Sequence, residues 1–538
     1  MTGSQVIIPR QDKDEKKEPR LFFSRKCGLI LLYGILYAAA AFLLLYNLSD
    51  RLLWGDEAET ALLGRNILEF GIPLVDDGKN VLTQYPEPWE ANDAGVWTWN
   101  TWLSYYVAAL SLGVFGQTTF AARFPFAAIG LLAVILMRKA ARDLYDDEET
   151  AFVATLLLAF SVPFLLHARQ CRYFSMLALG TIWLIIGYNR LVFMREKKYG
   201  LHVAVALAFL FYSSFISFVG GAAGVGLHSL VQMKNRRETL REVFPFFALA
   251  GALIAPWVLY SGLLGKRGSV EFGGVADTLL YYIQRMNFHI FPVILLLLPP
   301  ISLIARRVPV KRWLPGDKTG LLLFVIGGHF AVLSVFPFVY FRYLITVMPA
   351  LFLLEARMLR RYVPARAARY FLVFLLAATN IPGIISLYPI RGDRRISLPL
   401  AEFVAGITSD YEDAFEDVVG FLQDNAYESE SLALTDPGYP FIFYTGMKVI
   451  DARYPRSYEK VWEANWVLSD NAVGVIDYGP ASFLTLPASH ADMYRANLLE
   501  VRDTPLGASR PDPDLHRHLT ADAMKPLIVY RRMEESAR

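Results

Sequence analysis

Stretches of mostly apolar residues, about 20 long and so able to cross a bilayer as helices, recur through the first 387 residues and then cease. They fall at 27–46, 119–137, 150–168, 173–193, 201–218, 219–233, 243–264, 289–305, 319–337, 343–359 and 369–387. The pattern predicts eleven spanning helices. With the N-terminus in the cytoplasm, cytoplasmic segments receive 28 of the 38 Lys and Arg in residues 1–387, and outer segments receive ten. That asymmetry is the positive-inside bias of a multi-pass protein. The apolar stretch 96–115 would invert every later basic cluster if it crossed. Its Trp- and Tyr-rich start places it as a helix lying on the outer surface. The short, glycine-rich stretch 219–233 counts as a span, because basic loops flank 201–232 on both sides. After 387 the period changes: 411–425 has helical spacing, and 431–435, 473–477 and 527–530 resemble short buried strands.

Composition agrees. The 538 residues are 54% hydrophobic and only 19% charged, where soluble domains hold about 25% charged residues. A soluble multidomain enzyme and a disordered chain are excluded. Two cysteines, Cys27 and Cys171, exclude a disulfide scaffold and any CxxC metal or redox motif. Charge then separates two regions: 38 basic against 26 acidic residues over 1–387, and 15 against 24 over 388–538. Basic residues in short clusters between apolar spans do not imply nucleic acid. The expected fold is an all-α polytopic membrane protein of about 11 transmembrane helices with a C-terminal extracytoplasmic α/β domain. Its parts are a disordered cytoplasmic leader (1–26), a transmembrane catalytic domain (27–387) with a long acidic first outer loop (47–118), and the outer domain (388–538). The first span reads as a retained anchor in the plasma membrane.

Candidate chemistry concentrates at Trp54-Gly55-Asp56-Glu57-Ala58-Glu59, just after the first span. Adjacent carboxylates at a membrane surface suit proton abstraction or metal binding. Equally, Asp56 suits the N-cap of a helix over 57–70, with Glu57 and Glu59 favoured in its first turn. Outer-facing cations are few, and Arg169, Arg172 and Arg342 sit at span mouths. Arginine grips phosphate oxygens in a bidentate way; at a span end it also commonly reaches for headgroups. His228 and His329 lie within spans, where a lone histidine more often bonds a neighbouring helix. The glycines of 220–226 suit close helix packing. Lys266, Arg267 and Arg285 bracket an outer loop with an amphipathic helix at 277–286.

Taken with this acidic pair, three further stretches resemble the C-type (GT-C) superfamily of membrane glycosyltransferases. The branch is the one holding protein O-mannosyltransferases and the lipid A aminoarabinose transferase. The stretches are Phe115-Gly116-Gln117-Thr118-Thr119-Phe120-Ala121-Ala122-Arg123-Phe124-Pro125, Ala168-Arg169-Gln170-Cys171-Arg172-Tyr173, and Phe341-Arg342-Tyr343-Leu344 followed by Met348-Pro349-Ala350-Leu351. They occur in the family's order. The resemblance implies a sugar donor on polyprenyl or dolichyl phosphate and a hydroxyl acceptor on a lipid, an envelope glycan or a protein. Asp56 would then be the catalytic base, with Glu57 beside it. Arg342, Arg172, Arg169 and Tyr343 would hold the donor phosphate, and Arg123 would orient the loop or pair with a carboxylate. No cofactor is demanded; a divalent cation is the candidate, on Asp56 with Glu57, Glu59 or Asp93. Membrane lipids are partners and nucleic acid is not.

Three departures argue against aminoarabinose transfer in particular. Glu59 stands where that enzyme type has arginine, a Lys-Pro-Pro-Leu stretch is absent, and Phe174-Ser175 replaces an aspartate of the second outer loop. The competing functions are a transporter or flippase of lipid-linked sugars, a non-catalytic envelope assembly protein, and a polysaccharide ligase or polymerase. Transporters usually carry repeated halves and ionisable groups near the bilayer middle, whereas these spans are nearly charge-free. An assembly protein would leave the acidic pair and the arginines without a role, and a ligase would place its arginines in a late, large loop.

Overall fold

The computed structural model describes residues 20–83, 90–231, 236–266, 274–306, 317–387, 396–410, 413–434, 438–451, 460–469, 488–503 and 523–533. Among the described residues, the α-helices come first to last as α1 (Arg20–Leu45), α2 (Gly55–Phe70), α3 (Leu103–Phe115), α4 (Thr119–Tyr145), α5 (Glu148–Ala159), α6 (Val162–Ala168) and α7 (Phe174–Tyr188). Then follow α8 (Tyr199–Ser213), α9 (Phe215–Val231), α10 (Arg236–Ser261), α11 (Leu263–Lys266), α12 (Val275–His289), α13 (Leu298–Arg306) and α14 (Asp317–Ser334). The last are α15 (Met348–Tyr362), α16 (Arg366–Ala378), α17 (Ile381–Leu387), α18 (Pro399–Thr408), α19 (Ala414–Asn425) and α20 (Tyr439–Thr445).

Local chemistry fixes several of these ends. Thr118, Asp147 and Ser161 cap α4, α5 and α6 by accepting backbone N–H groups through their side chains, as N-cap residues do. α2 stops at Gly71, whose φ of 78° favours a residue without a side chain. α7 is almost wholly buried and forms the centre of the bundle. α1 exposes Ile30, Leu31 and Ile35 along its outer side, the face a spanning helix turns to lipid. Glycine lets α9 and α14 touch closely: a Cβ on Gly224 would meet the Val325 Cα at 2.6 Å. His329 and His228 lie at this seam and beside it. His329 Nδ1 bonds the Val325 carbonyl (2.8 Å), and His228 Nδ1 bonds the Tyr188 hydroxyl (2.9 Å).

Among the described residues, four helices are long and apolar enough to cross a membrane, or six if two bent pairs each count once. The single helices are Cys27–Leu45, Thr119–Tyr145, Phe174–Phe193 and Arg241–Ser261. The pairs are α5 with α6, bent by 58°, and α12 with Val293–Ser302, bent by 89°. The sequence pattern predicts eleven spans; the described residues hold four such helices, or six with the bent pairs. α8, α9 and α14 are shorter apolar helices. The expected spans 289–305 and 369–387 are interrupted, the first near Pro292 and the second at Thr379-Asn380. The stretch 96–115 becomes an irregular strap and α3, and 277–286 lies inside α12.

The C-terminal region holds β1 (Ser431–Leu434), β2 (Lys448–Asp451), β3 (Trp466–Ser469), β4 (Tyr494–Arg502) and β5 (Met524–Arg532) in one sheet ordered β2-β1-β3-β5-β4. β1 runs parallel to β2 and β3; β5 runs antiparallel to β3 and β4. The expected strands 431–435 and 527–530 correspond to β1 and β5, while 473–477 lies outside the described residues. α19 packs Phe415, Val418 and Leu422 onto the sheet. The first loop clamps this region: Lys79 Nζ donates to the Glu428 and Gly446 carbonyls. Asn80 donates to Met447 O (3.1 Å) and accepts from Val449 N (2.8 Å).

Candidate active site

Two arginine–carboxylate clusters lie back to back around the first turn of α2. Its N-cap is Trp54, whose side chain makes no capping bond. Asp56 is thus a first-turn residue rather than the cap, and its carboxylate is turned to other partners. Asp56 Oδ2 accepts from Arg342 Nη1 at 2.6 Å and from Arg172 Nη2 at 3.4 Å. Arg172 Nη1 reaches Glu59 Oε1 (2.9 Å), Thr60 Oγ1 (3.0 Å) and the Asp56 carbonyl (3.0 Å). Burial opposes the charge on both arginines, but Asp56 with Glu59 for Arg172, and Asp56 for Arg342, outweigh it and raise their pKa values above the ordinary arginine value. Arg342 lies over the Tyr340 ring at 4.4 Å, and Arg172 over Tyr173 at 5.5 Å. The Nε atoms of both arginines are buried without a hydrogen-bond partner among the described residues. These donors are held ready for an acceptor.

The second cluster is closed. Arg123 grips Glu57 in a two-pronged pair, Nε to Oε1 at 2.8 Å and Nη2 to Oε2 at 2.7 Å. Its remaining N–H groups reach the carbonyls of Leu48 (2.9 Å), Arg51 (2.7 Å) and Leu52 (3.0 Å). All five guanidinium donors are used. Glu57 also accepts from Cys171 N (2.8 Å), which ties α2 to the loop carrying Arg172. Glu57, expected beside Asp56 in catalysis, is 1% exposed, and both its carboxyl oxygens are bonded to Arg123.

Arg169, expected at the donor phosphate, donates to Leu43 O (2.9 Å) in the last turn of α1 and to Asn47 O (3.3 Å) just beyond it. Burial, with Arg123 and Arg51 nearby, lowers its pKa to about 9. Tyr343 packs its ring against Phe336 and Tyr340 beside Arg342. Asp93 is exposed in a turn of the first loop. The carboxylates suggested for a cation do not assemble: Glu57 is taken by Arg123, Glu59 by Arg172. No group of three or more His, Cys, Asp or Glu among the described residues could hold a metal. Of the bracketing cations, Arg285 stacks on Tyr281 within α12 (5.3 Å), and Arg267 lies outside the described residues.

Sequence reasoning missed Tyr444 of α20. Its hydroxyl accepts from Leu53 N (2.8 Å) and lies 2.7 Å from Thr119 Oγ1. The strap between α1 and α2 is therefore held by Arg123 from the membrane part and by Tyr444 from the C-terminal region. No local pattern announces this, because the partners are 391 residues apart.

Comparison with known proteins bears on the fold. Residues 100–260 match the family described as dolichyl-phosphate-mannose-protein mannosyltransferase. No curated protein matches the chain. Among solved structures, the chain is similar to ArnT from Cupriavidus metallidurans in the apo state, with a TM-score of 0.57 and 13% identity over 83% of this chain and 93% of that one. The same enzyme bound to undecaprenyl phosphate gives a TM-score of 0.54 at 14% identity, covering 82% and 93%. The archaeal oligosaccharyltransferase AglB from Archaeoglobus fulgidus, in complex with an inhibitory peptide and a dolichol-phosphate, gives 0.52 at 13%, covering 83% and 70%. The chain shares the fold of these structures, and its described residues include helices long and apolar enough to cross a membrane.

Proposed function

We propose that this chain is an inverting glycosyltransferase that moves a sugar from a polyprenyl-phosphate donor to a hydroxyl acceptor on the outer face of the membrane. The observation that carries the reading is the open cluster of Asp56, Arg172 and Arg342, with two unspent guanidinium donors beside a paired carboxylate. Asp56, Glu59, Arg172 and Arg342 balance in charge, so an arriving phosphodiester competes with Asp56 for the arginines. Arg342, the more exposed of the two at 17% against 6%, receives the phosphate first, and Arg172 completes the contact. Asp56 is thereby released from its ion pair. It takes the proton of the acceptor hydroxyl while that oxygen attacks the sugar's anomeric carbon. The carbon–oxygen bond to phosphate breaks, and polyprenyl phosphate leaves against the two arginines. Binding of undecaprenyl phosphate by one neighbour and of a dolichol-phosphate by another supports this donor class.

Purified full-length protein, given an undecaprenyl-phosphate hexose and an envelope lipid extract, should release undecaprenyl phosphate. A chain that leaves every lipid-linked hexose intact with every acceptor fraction is not this enzyme. For topology, we place the N-terminus in the cytoplasm and the C-terminal sheet outside. Tyr427→Cys in a Cys27→Ser background, at a residue 71% exposed, should react with an impermeant thiol reagent in whole cells. Labelling only after lysis would reverse the orientation.

A further inference from the structure

A further buried carboxyl group lies outside the cluster just described. Glu355, in the middle of α15, is 0% exposed, and neither carboxyl oxygen has a hydrogen-bond partner among the described residues. It lines a cleft, part of it open to the surroundings, together with Ser161, His289, Thr379 and Asn380. Among the described residues, no Lys or Arg contributes to the wall. Burying a carboxyl without a partner is costly, and each such group calls for an explanation, a ligand among them.

The cavity forms where three helices are broken. The α5–α6 bend passes through Phe160-Ser161, the α12 bend through His289-Ile290, and the α16–α17 break through Thr379-Asn380. Irregular backbone at membrane depth persists where it faces protein or lines a polar cavity. Three breaks meeting at one carboxyl are therefore a built polar site. Its other walls are apolar and aromatic: Phe160, Phe288 and Phe352. A carboxyl with side-chain hydroxyl and amide groups, set against aromatic faces, matches a ring that carries hydroxyls on its edge and C–H groups on its faces.

The site is also next to the reaction centre. His289 packs its ring on Phe341 at 5.2 Å, and Phe341 immediately precedes Arg342. α6 contributes Val162 and Pro163 to the cavity at one end and leads into the loop of Arg172 at the other. We infer that the Glu355 cavity receives the hydroxyl-bearing sugar ring of the lipid-linked donor, and that Glu355 is its specificity-determining residue. This rests on the donor class proposed above.

The test compares two ligands on the full-length protein in nanodiscs: bare undecaprenyl phosphate, and undecaprenyl phosphate carrying mannose, glucose, galactose or arabinose. Wild type should bind at least one sugar-bearing lipid about tenfold more tightly than the bare lipid, one or two hydrogen bonds' worth. Glu355→Leu should abolish that preference, leave bare-lipid affinity unchanged and melt no lower than wild type, since it removes an unpartnered carboxyl. Glu355→Gln should keep part of the preference. A preference that survives Glu355→Leu, or no preference in wild type, overturns the inference. Stabilisation by NaCl or MgCl2 that requires Glu355, with no sugar preference, assigns the cavity to a cation and overturns it too. Failure of the donor class itself is distinguishable: the bare lipid would then not bind, with or without Glu355.

Discussion

Arg123 and Arg342 each meet a carboxylate of the same helical turn, and the two pairs differ in how completely they are closed. Arg123 spends all five donors on Glu57 and three backbone carbonyls. Arg342 gives Asp56 one short bond and keeps a buried Nε without a partner. Adjacent residues thus serve opposite purposes: Glu57 completes a fastening, and Asp56 stands in a contact that a phosphate can take over. A saturated network builds the scaffold, while an unsaturated one is where chemistry is expected.

The comparison can be broken by removing each half. Arg123→Ala leaves the Glu57 carboxylate buried without its counter-charge, with only Cys171 N still donating to it, so it should cost about 3–5 kcal/mol of stability and lower the melting temperature sharply. If its melting curve matches wild type, the closed cluster is not the fastening described. Arg342→Ala should melt near wild type but raise the KM for the lipid-linked donor about 10- to 100-fold, as expected of a charge-assisted contact worth about 1.5–3 kcal/mol. Unchanged donor dependence would remove Arg342 from the phosphate site. Tyr444→Phe leaves Leu53 N without its acceptor, a loss of about 1–3 kcal/mol. It should slow kcat several-fold with donor KM unchanged, because it loosens the strap rather than the phosphate contact; a change in KM alone would contradict that.

The smallest effect concerns pH. Burial, then Asp413 and Asp50, raise the Glu416 pKa from the usual 4.5 to about 8, against a stabilising bond from Leu52 N. The folded chain therefore holds this proton more tightly than the unfolded chain does. Stability from Glu416 is complete below about pH 4.5 and is lost as pH rises through about 8. Glu416→Gln should flatten thermal stability between pH 5 and 9 and raise it at the alkaline end. A wild-type-like slope in the variant would place the titration elsewhere.

What the sequence made legible was local or carried by a compact motif. Asp56 after the first span, Arg172 beside Cys171 and Arg342 within its aromatic neighbours converge in space as three short motifs, and β1 follows from its apolar run. What was not legible is long-range or concerns continuity. Arg169 looked like Arg172 in sequence, but its partners are carbonyls in the last turn of α1 and just beyond it, more than 120 residues earlier. Glu57 could not be told from Asp56 until Arg123 of α4 was placed beside it. Hydropathy counts apolar residues and does not sense a break, so the bends at Ser161 and Ile290 and the gap at Thr379 passed as continuous spans. The same breaks create the Glu355 cavity.

The most direct measurement is single-turnover release of undecaprenyl phosphate from a bound lipid-linked hexose by wild type, Asp56→Asn and Glu57→Gln. Asp56→Asn should bind donor, melt near wild type and turn over about 10²- to 10⁴-fold more slowly, the span of a lost general base. Glu57→Gln should lose stability first, with residual folded protein still active. Full release by Asp56→Asn, or the reverse pattern between the two carboxylates, would contradict the account.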